Sequence, residues 1–295
     1  MSYLLIGNIS ALIGHDCVEP LVNARIRVYL PALQARGNKQ TAKDMFSDMQ
    51  PLSAKEVLLK ADRLIAEAVL DSKGNFSLSW NEVHLFTEEL ELDLCLDQLP
   101  GKNGSTRPRN FHLSRLVLHW KRNNAGYVGA YAYVIPADIW QQIYANAGAW
   151  VVTGLVKEAP GRIGQPGLMV EAYNALSDDV IGKAYTNETG RYYLYFSRKE
   201  IGKGRMITVR NGQVGTGPQL YFKIYRDGQL VWEENKKAAE HPERKELSHC
   251  SQVDIVFKPS RVKKASDWLS ELMTLKSTRK KKSGAYRLLT YSSLL

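Results

Sequence analysis

The sequence predicts an all-β protein of two tandem β-sandwiches, joined by a short linker helix and followed by a C-terminal helix and tail. Three observations carry that expectation. Short runs of alternating apolar and polar residues recur along the chain with Gly, Asn and Asp turn signals between them, which is the rhythm of a sandwich. A stretch at 68–80, AVLDSKGNFSLSW, returns in altered form at 184–196 as AYTNETGRYYLYF, so one supersecondary unit is written twice. A chain of 295 residues, 44% apolar and 24% charged, is long enough for two soluble bodies that need neither disulfides nor metal.

The start, MSYLLIGNISALIGHD, lacks a basic n-region and is broken by Gly7, Asn8 and Ser10, so it reads as a first strand and not as a secretory signal. His15-Asp16-Cys17 then forms a loop to the second strand. NARIRVYLPA (23–32) and RLIAEAV (63–69) read as partner strands separated by an insertion at 32–61, taken as decoration or docking to the neighbouring domain ahead of a ligand site. The turn DSKGN fits a hairpin, because Asp71 can bond the backbone two residues on and Gly74 supplies a positive φ. It leads into a strand with Phe76, Leu78 and Trp80 on one face. ELELDLCLDQL (89–99) follows, and 115–135 closes the first unit with a hairpin on Asn123 to Gly126.

IPADIWQQIYANAG (135–148) predicts a helix, with Pro136 near its start and Gly148 placed to end it. The second unit repeats the order: GLMVEAYNAL (167–176), VIGKAYT (180–186), a turn NETGR also read as a hairpin, and a strand with Tyr192, Leu194 and Phe196 on one face. PQLYFKIYRDGQLVWEE (218–234) predicts a hairpin on Asp227-Gly228, and VDIVF (253–257) closes the unit. The boundaries are 1–148, with the insertion at 32–61, then 149–258, then a basic amphipathic helix and docking tail at 259–295.

Gly182, Ala184, Thr186, Asn187, Gly190, Tyr192, Leu194 and Phe196, followed by Pro218, Leu220, Phe222, Ile224, Tyr225 and Gly228 and then Val253 to Val256, carry a family pattern. The second unit resembles the transthyretin-like or carboxypeptidase-regulatory-like β-sandwich, an immunoglobulin-like fold; the first is similar but looser. The resemblance implies accessory domains of the kind found in bacterial toxin complexes and contractile injection assemblies, acting as spacers and adhesive modules. Enzymes of the same fold are not matched. No His-x-His element stands among the six histidines, as an intradiol dioxygenase requires, and Tyr286-Arg287-Leu288-Leu289 departs from the Tyr-Arg-Gly-Ser ending of a hydroxyisourate hydrolase.

The remaining chemistry-bearing residues predict no catalytic site, cofactor or metal. DSKGN and NETGR lack calcium-loop spacing, and GRIGQPG (161–167) lacks the Lys-Ser/Thr of a phosphate loop. His249-Cys250 reads as a strand entry, and His112 and His119 fall on opposite faces of a continuous strand. Glu88, Glu89 and Glu91 read as a solvated acidic edge. Cys17, Cys95 and Cys250, odd in number and scattered, predict buried thiols and a chain folded in the cytoplasm, with export possible only by a machine that needs no cleaved signal. The tyrosine rows Tyr127, Tyr131, Tyr133 and Tyr192, Tyr193, Tyr195 either pack at the rim of the core or, if exposed, make the alternative function, a pair of carbohydrate-binding modules. An enzyme site formed by the insertion and a histidine is a third reading.

Charge singles out the tail. From Lys258 onward ten Lys and Arg face Asp267 and Glu271, so +8 of the net +10 lies there and +2 is left for residues 1–257. SDWLSELMTL places Trp268, Leu269, Leu272 and Leu275 on one helical face, and Arg279, Lys280, Lys281 and Lys282 follow as a block. Three roles fit: covering one end of the second sandwich, docking to a protein partner, or contact with an anionic membrane or nucleic acid. The apolar end AYRLLTYSSLL predicts pairing with a sheet edge of this chain or of another subunit, as in a homo-oligomer. The function expected is a non-enzymatic structural or adaptor protein attached to a larger assembly, a toxin or injection machine, through residues 259–295.

Overall fold

Ser2–Ile13 form the first strand, with Tyr3, Leu5, Ile9, Ala11 and Ile13 on the buried face, and the shorter runs that follow likewise have a face to bury. In a computed structural model the first half comprises β1 (Ser2–Ile13), β2 (Cys17–Pro20), β3 (Ala24–Tyr29), β4 (Gln50–Leu52), α1 (Ala54–Leu59), β5 (Leu64–Val69), β6 (Asn75–Asn81), β7 (Leu90–Leu96), β8 (Arg109–Leu116), β9 (Lys121–Asn123) and β10 (Gly126–Ile135). Then come α2 (Ala137–Ala147), β11 (Ala149–Glu158), β12 (Met169–Asn174), β13 (Val180–Tyr185), β14 (Arg191–Ser197), α3 (Arg198–Ile201), β15 (Val209–Arg210), β16 (Gln213–Val214), β17 (Leu220–Arg226), β18 (Gln229–Glu233), β19 (Cys250–Gln252) and β20 (Ile255–Phe257). The structure describes residues 2–14, 16–32, 49–81, 88–99, 108–161, 163–201, 209–210, 213–214, 217–242, 244 and 247–258. The fold is all-β.

One pairing scheme occurs twice. β1 runs parallel to β10 and antiparallel to β2 and β6, and β9 extends that first sheet beside β10. A second sheet runs β4–β8–β7–β3–β5. In the later half β11 runs parallel to β19 and β20 and antiparallel to β14, and a fourth sheet runs β13–β12–β17–β18. In each half the last strand therefore lies parallel to the first.

The echoing turns are not the hairpins that their sequence suggests. β5 pairs with β3 while β6 pairs with β1, and β13 pairs with β12 while β14 pairs with β11, so each turn carries the chain from one sheet to the facing one. Asp71 Oδ1 accepts the N–H groups of Lys73 and Asn75 at 2.8 Å each, and Asn187 Oδ1 accepts those of Thr189 at 3.0 Å and Arg191 at 2.9 Å. The crossing is anchored by a second contact. Gly74 O accepts Ile9 N–H and Gly190 O accepts Val156 N–H, both at 2.9 Å, tying each turn to the opening strand of its own half. Crossing places the strands on the two sides of each turn in facing sheets, whose inner faces close on one core. Asn123–Gly126 and Asp227-Gly228 do make hairpins, the latter with φ of 51° and 77° as a tight two-residue turn demands.

The insertion is structured in its second half. β4 pairs with β8, and α1 opens on a capping box in which Ser53 and Glu56 exchange side-chain and backbone hydrogen bonds. Residues 33–48 lie outside the described residues.

Buried apolar side chains fall into two large clusters. The first is built from Leu5, Ile9, Phe76 and Leu78 of one sheet against Ile26, Val28, Leu92, Leu94 and Leu113 of the other. The second sets Val152, Tyr192, Leu194 and Phe196 against Val170, Ala172, Phe222 and Ile224. β11 touches both. Successive side chains of a strand point to opposite faces, so Ala149 and Val151 join the first cluster while Trp150, Val152 and Val156 join the second.

Candidate functional site

The tail residues singled out by charge and periodicity, Trp268, Leu269, Leu272, Leu275 and Arg279 to Lys282, lie outside the described residues, as does His15. The described residues instead bring together a buried polar cluster between the two cores, which no local sequence pattern signals.

That cluster starts with α2. Trp140, Ile143 and Tyr144, spaced i, i+3 and i+4, are its buried face. Gly148, at φ 58°, ends the helix as expected, and Arg109 supplies a cation there by donating to Ile143 O at 2.8 Å. Trp140 Nε1 donates to Glu19 Oε2 at 3.0 Å, and Tyr195 Oη donates to Glu19 Oε1 at 2.5 Å. Glu19 belongs to β2, Trp140 to α2 and Tyr195 to β14, so three elements from both halves meet on one carboxyl group. Glu19 is 2% exposed. Burial pushes its pKa up to about 6, although both donors favour the ionised form.

Around this carboxyl, Cys17 Sγ lies 3.8 Å from Thr153 Oγ1 and 3.6 Å from Tyr193 Oη, and Thr153 donates to Tyr192 O at 2.8 Å. Burial raises the pKa of Tyr144, Tyr193, Tyr195 and Cys250. Tyr144 Oη is buried without a hydrogen-bond partner. The thiols of Cys17, Cys95 and Cys250 are free and buried.

The tyrosine rows are occupied in this packing. Tyr131 and Tyr133 stack at 6.5 Å and, with Tyr127, lie against the first core. Tyr192 is fully buried in the second core and donates to Val253 O at 2.7 Å, while Tyr193 and Tyr195, on the opposite face of β14, pack on the first core. A third group of tyrosines stands away from the second core, and of it only Tyr185 is exposed. On the outer face of the fourth sheet, Tyr173 and Tyr221 stack at 5.2 Å, Tyr173 Oη donates to Glu171 at 2.7 Å, and Tyr185 on edge strand β13 is 71% exposed.

Within the acidic edge at 88–91, Glu91 is buried and not solvated as its sequence suggests. β7 is buried along its whole length, and Lys60 and Arg63 reach the carboxylates on the side facing away from the core. Lys60 Nζ meets both oxygens of Asp93 at 3.0 Å and Glu91 at 3.2 Å; Arg63 adds to Glu91 at 3.5 Å, and His112 Nδ1 lies 2.8 Å from Asp93. Glu89, paired with Arg115 at 2.7 Å, keeps a largely accessible carboxylate. Beside this network a hollow of about 310 Å³ opens between α1 and the sheet, lined by Arg27, Tyr29, Val57, Leu58, Leu64 and Glu67. Among the described residues no group of three or more His, Cys, Asp or Glu could hold a metal ion.

No known family model matches this chain, and no curated protein does. Solved structures are matched at low similarity. The Bacillus anthracis TIE protein is 12% identical, with 88% of this chain and 34% of that one covered and a TM-score of 0.25. The shaft pilin SpaA of Lactobacillus rhamnosus GG is 9% identical, covering 88% and 98%, at 0.27. A minor pilin of Streptococcus agalactiae is 11% identical, covering 88% and 96%, at 0.24.

Proposed function

We propose that this chain is a non-enzymatic structural or adaptor protein, in which two tandem transthyretin-like sandwiches form a stiff spacer and residues 259–295 attach it to a larger assembly. The observation that supports this reading is β11. Its first six residues are buried on both faces, so the two cores meet through a strand common to both and not through an extended linker. Relative motion of domains is the usual expectation when few contacts cross between them, and a strand packed from both sides opposes it.

In the tail, Trp268, Leu269, Leu272 and Leu275 supply an apolar anchor and Arg279 to Lys282 a cationic one, a pairing suited to a groove with an acidic rim. On the sequence resemblance the assembly is a bacterial toxin complex or contractile injection machine, which the protein joins after folding in the cytoplasm. The test compares the full chain with one ending at residue 258. Co-assembly is lost in the short chain while its melting temperature is unchanged; a short chain that assembles as before defeats the proposal.

A second reading, carbohydrate binding, is favoured by Tyr185, whose exposed side chain heads a cross-strand row Tyr185–Met169–Tyr225. Glycan-array binding abolished by Tyr185→Ala supports it, and an array with no signal for the intact chain removes it.

A further inference from the structure

Glu19 is one of the few acidic side chains in the described residues that is almost wholly buried, and its partners come from both halves of the chain. The groups that face it are Cys17 from its own strand, Trp140 and Tyr144 from α2, Tyr193 and Tyr195 from β14, Thr153 from β11 and Cys250 from β19. None of these carries a positive charge at neutral pH. The basic side chains Arg109 and His249 are engaged elsewhere: Arg109 donates to the carbonyls of Ile143 and Asn146, and His249 bonds Ala149 O at 2.7 Å and stacks on Trp150 at 4.4 Å. An ionised Glu19 is therefore held by two neutral donors in an apolar surround, which is a costly arrangement without a counter-ion.

We propose that the junction between the two cores is a proton-operated latch, in which the closed packing of β2, α2 and β14 around Glu19 is favoured while the buried carboxyl is neutral and loosens when the uncompensated charge appears. The geometry has the parts a latch needs. One side chain bridges three elements, and its partners are split between the two halves. The direction follows from burial. The closed junction holds the Glu19 pKa at about 6, above its ordinary 4.5, so it binds the proton more tightly than the open one. Closure is strongest below pH 4.5, weakens as pH rises from 4.5 to 6, and is level above that. This property is independent of what the tail binds.

The native thiols report opening. Cys17 and Cys250 are buried at the junction, whereas Cys95 is buried in β7 of the second sheet. Alkylation of the intact chain with iodoacetamide, read site by site by peptide mass spectrometry, is compared with the same reaction on Glu19→Gln, which cancels the intrinsic pH dependence of each thiol. The ratio of wild-type to variant rate at Cys17 and Cys250 rises about eightfold between pH 5 and pH 8, while the ratio at Cys95 stays constant. A flat ratio at Cys17 and Cys250, or a rise shared by Cys95, overturns the latch. Should Glu19→Gln not fold, the Cys17 and Cys250 rates are instead divided by the Cys95 rate in the wild-type chain. That quotient rises over the same pH range if the latch operates, and a flat quotient overturns it.

Discussion

Tyr195 Oη donates to Glu19 Oε1 at 2.5 Å, and this bond joins β14 of the later half to β2 of the first. A hydroxyl that serves a buried carboxyl contributes more when that carboxyl is charged.

Tyr195→Phe keeps the ring against the first core and removes only the donor. It lowers stability by about 2 kcal/mol at pH 7, where Glu19 is ionised, and by about 1 kcal/mol at pH 4.5, where it is protonated. Urea unfolding at the two pH values measures the difference; equal penalties mean that Glu19 holds the same charge at both.

Asp93 is the second place where charge is buried. Its carboxylate is held by Lys60 and His112, and all three side chains are largely shielded. Asp93→Ala leaves Lys60 with Glu91 alone and costs about 3 kcal/mol, whereas Glu89→Ala, which breaks the pair with Arg115 at a more accessible position, costs under about 1 kcal/mol. Denaturant midpoints of the two variants rank them, and the reverse order would show that Lys60 is well solvated.

Tyr192 links the second core to the place where the closing strand breaks. Its hydroxyl donates to Val253 O at 2.7 Å, between β19 and β20, while Val253 N–H donates to Thr153 O at 2.7 Å. Tyr192→Phe removes a fully buried donor without changing the packing and costs about 1 kcal/mol, measured by thermal unfolding.

These three sites differ in how far sequence alone reveals them. α2, the Asp227-Gly228 hairpin and the alternating strands rest on signals carried within a dozen residues, and each forms where the sequence predicts. The turns at 71–75 and 187–191 use the same Asx and glycine chemistry whether the next strand stays in the sheet or crosses to the facing one, so the local sequence does not separate the two outcomes. Glu19, Trp140 and Tyr195 lie in three elements far apart in sequence, and the four-residue strand Cys17–Pro20 has no feature that marks its glutamate as buried. The acidic edge misleads for the same reason: Lys60 and Arg63, which neutralise Glu91, arrive from the insertion and the turn that follows it.

The crossing turns also make a prediction that separates backbone conformation from close packing. Gly74, Gly190 and Gly228 all have φ near 77°, at 76°, 79° and 77°, so an added methyl strains each backbone by about 1 kcal/mol. Their surroundings differ. A Cβ on Gly74 would lie 2.3 Å from Ile9 O and one on Gly190 2.4 Å from Gln165 N, both backbone atoms, while one on Gly228 meets nothing within 4 Å. Ile9 is itself the residue to which the first turn is tied, so relief at Gly74 strains the bond from Ile9 N–H to Gly74 O; relief at Gly190 displaces Gly164 and Gln165, whose N–H bonds Val156 O. Gly228→Ala therefore costs about 1 kcal/mol, and Gly74→Ala and Gly190→Ala each cost about 3 kcal/mol or more, with the first loosening the β6 edge of its sheet and the second the β14 edge. Amide hydrogen exchange reads which edge loosens, and equal penalties at all three glycines would mean that the turns are not pinned to the opening strands.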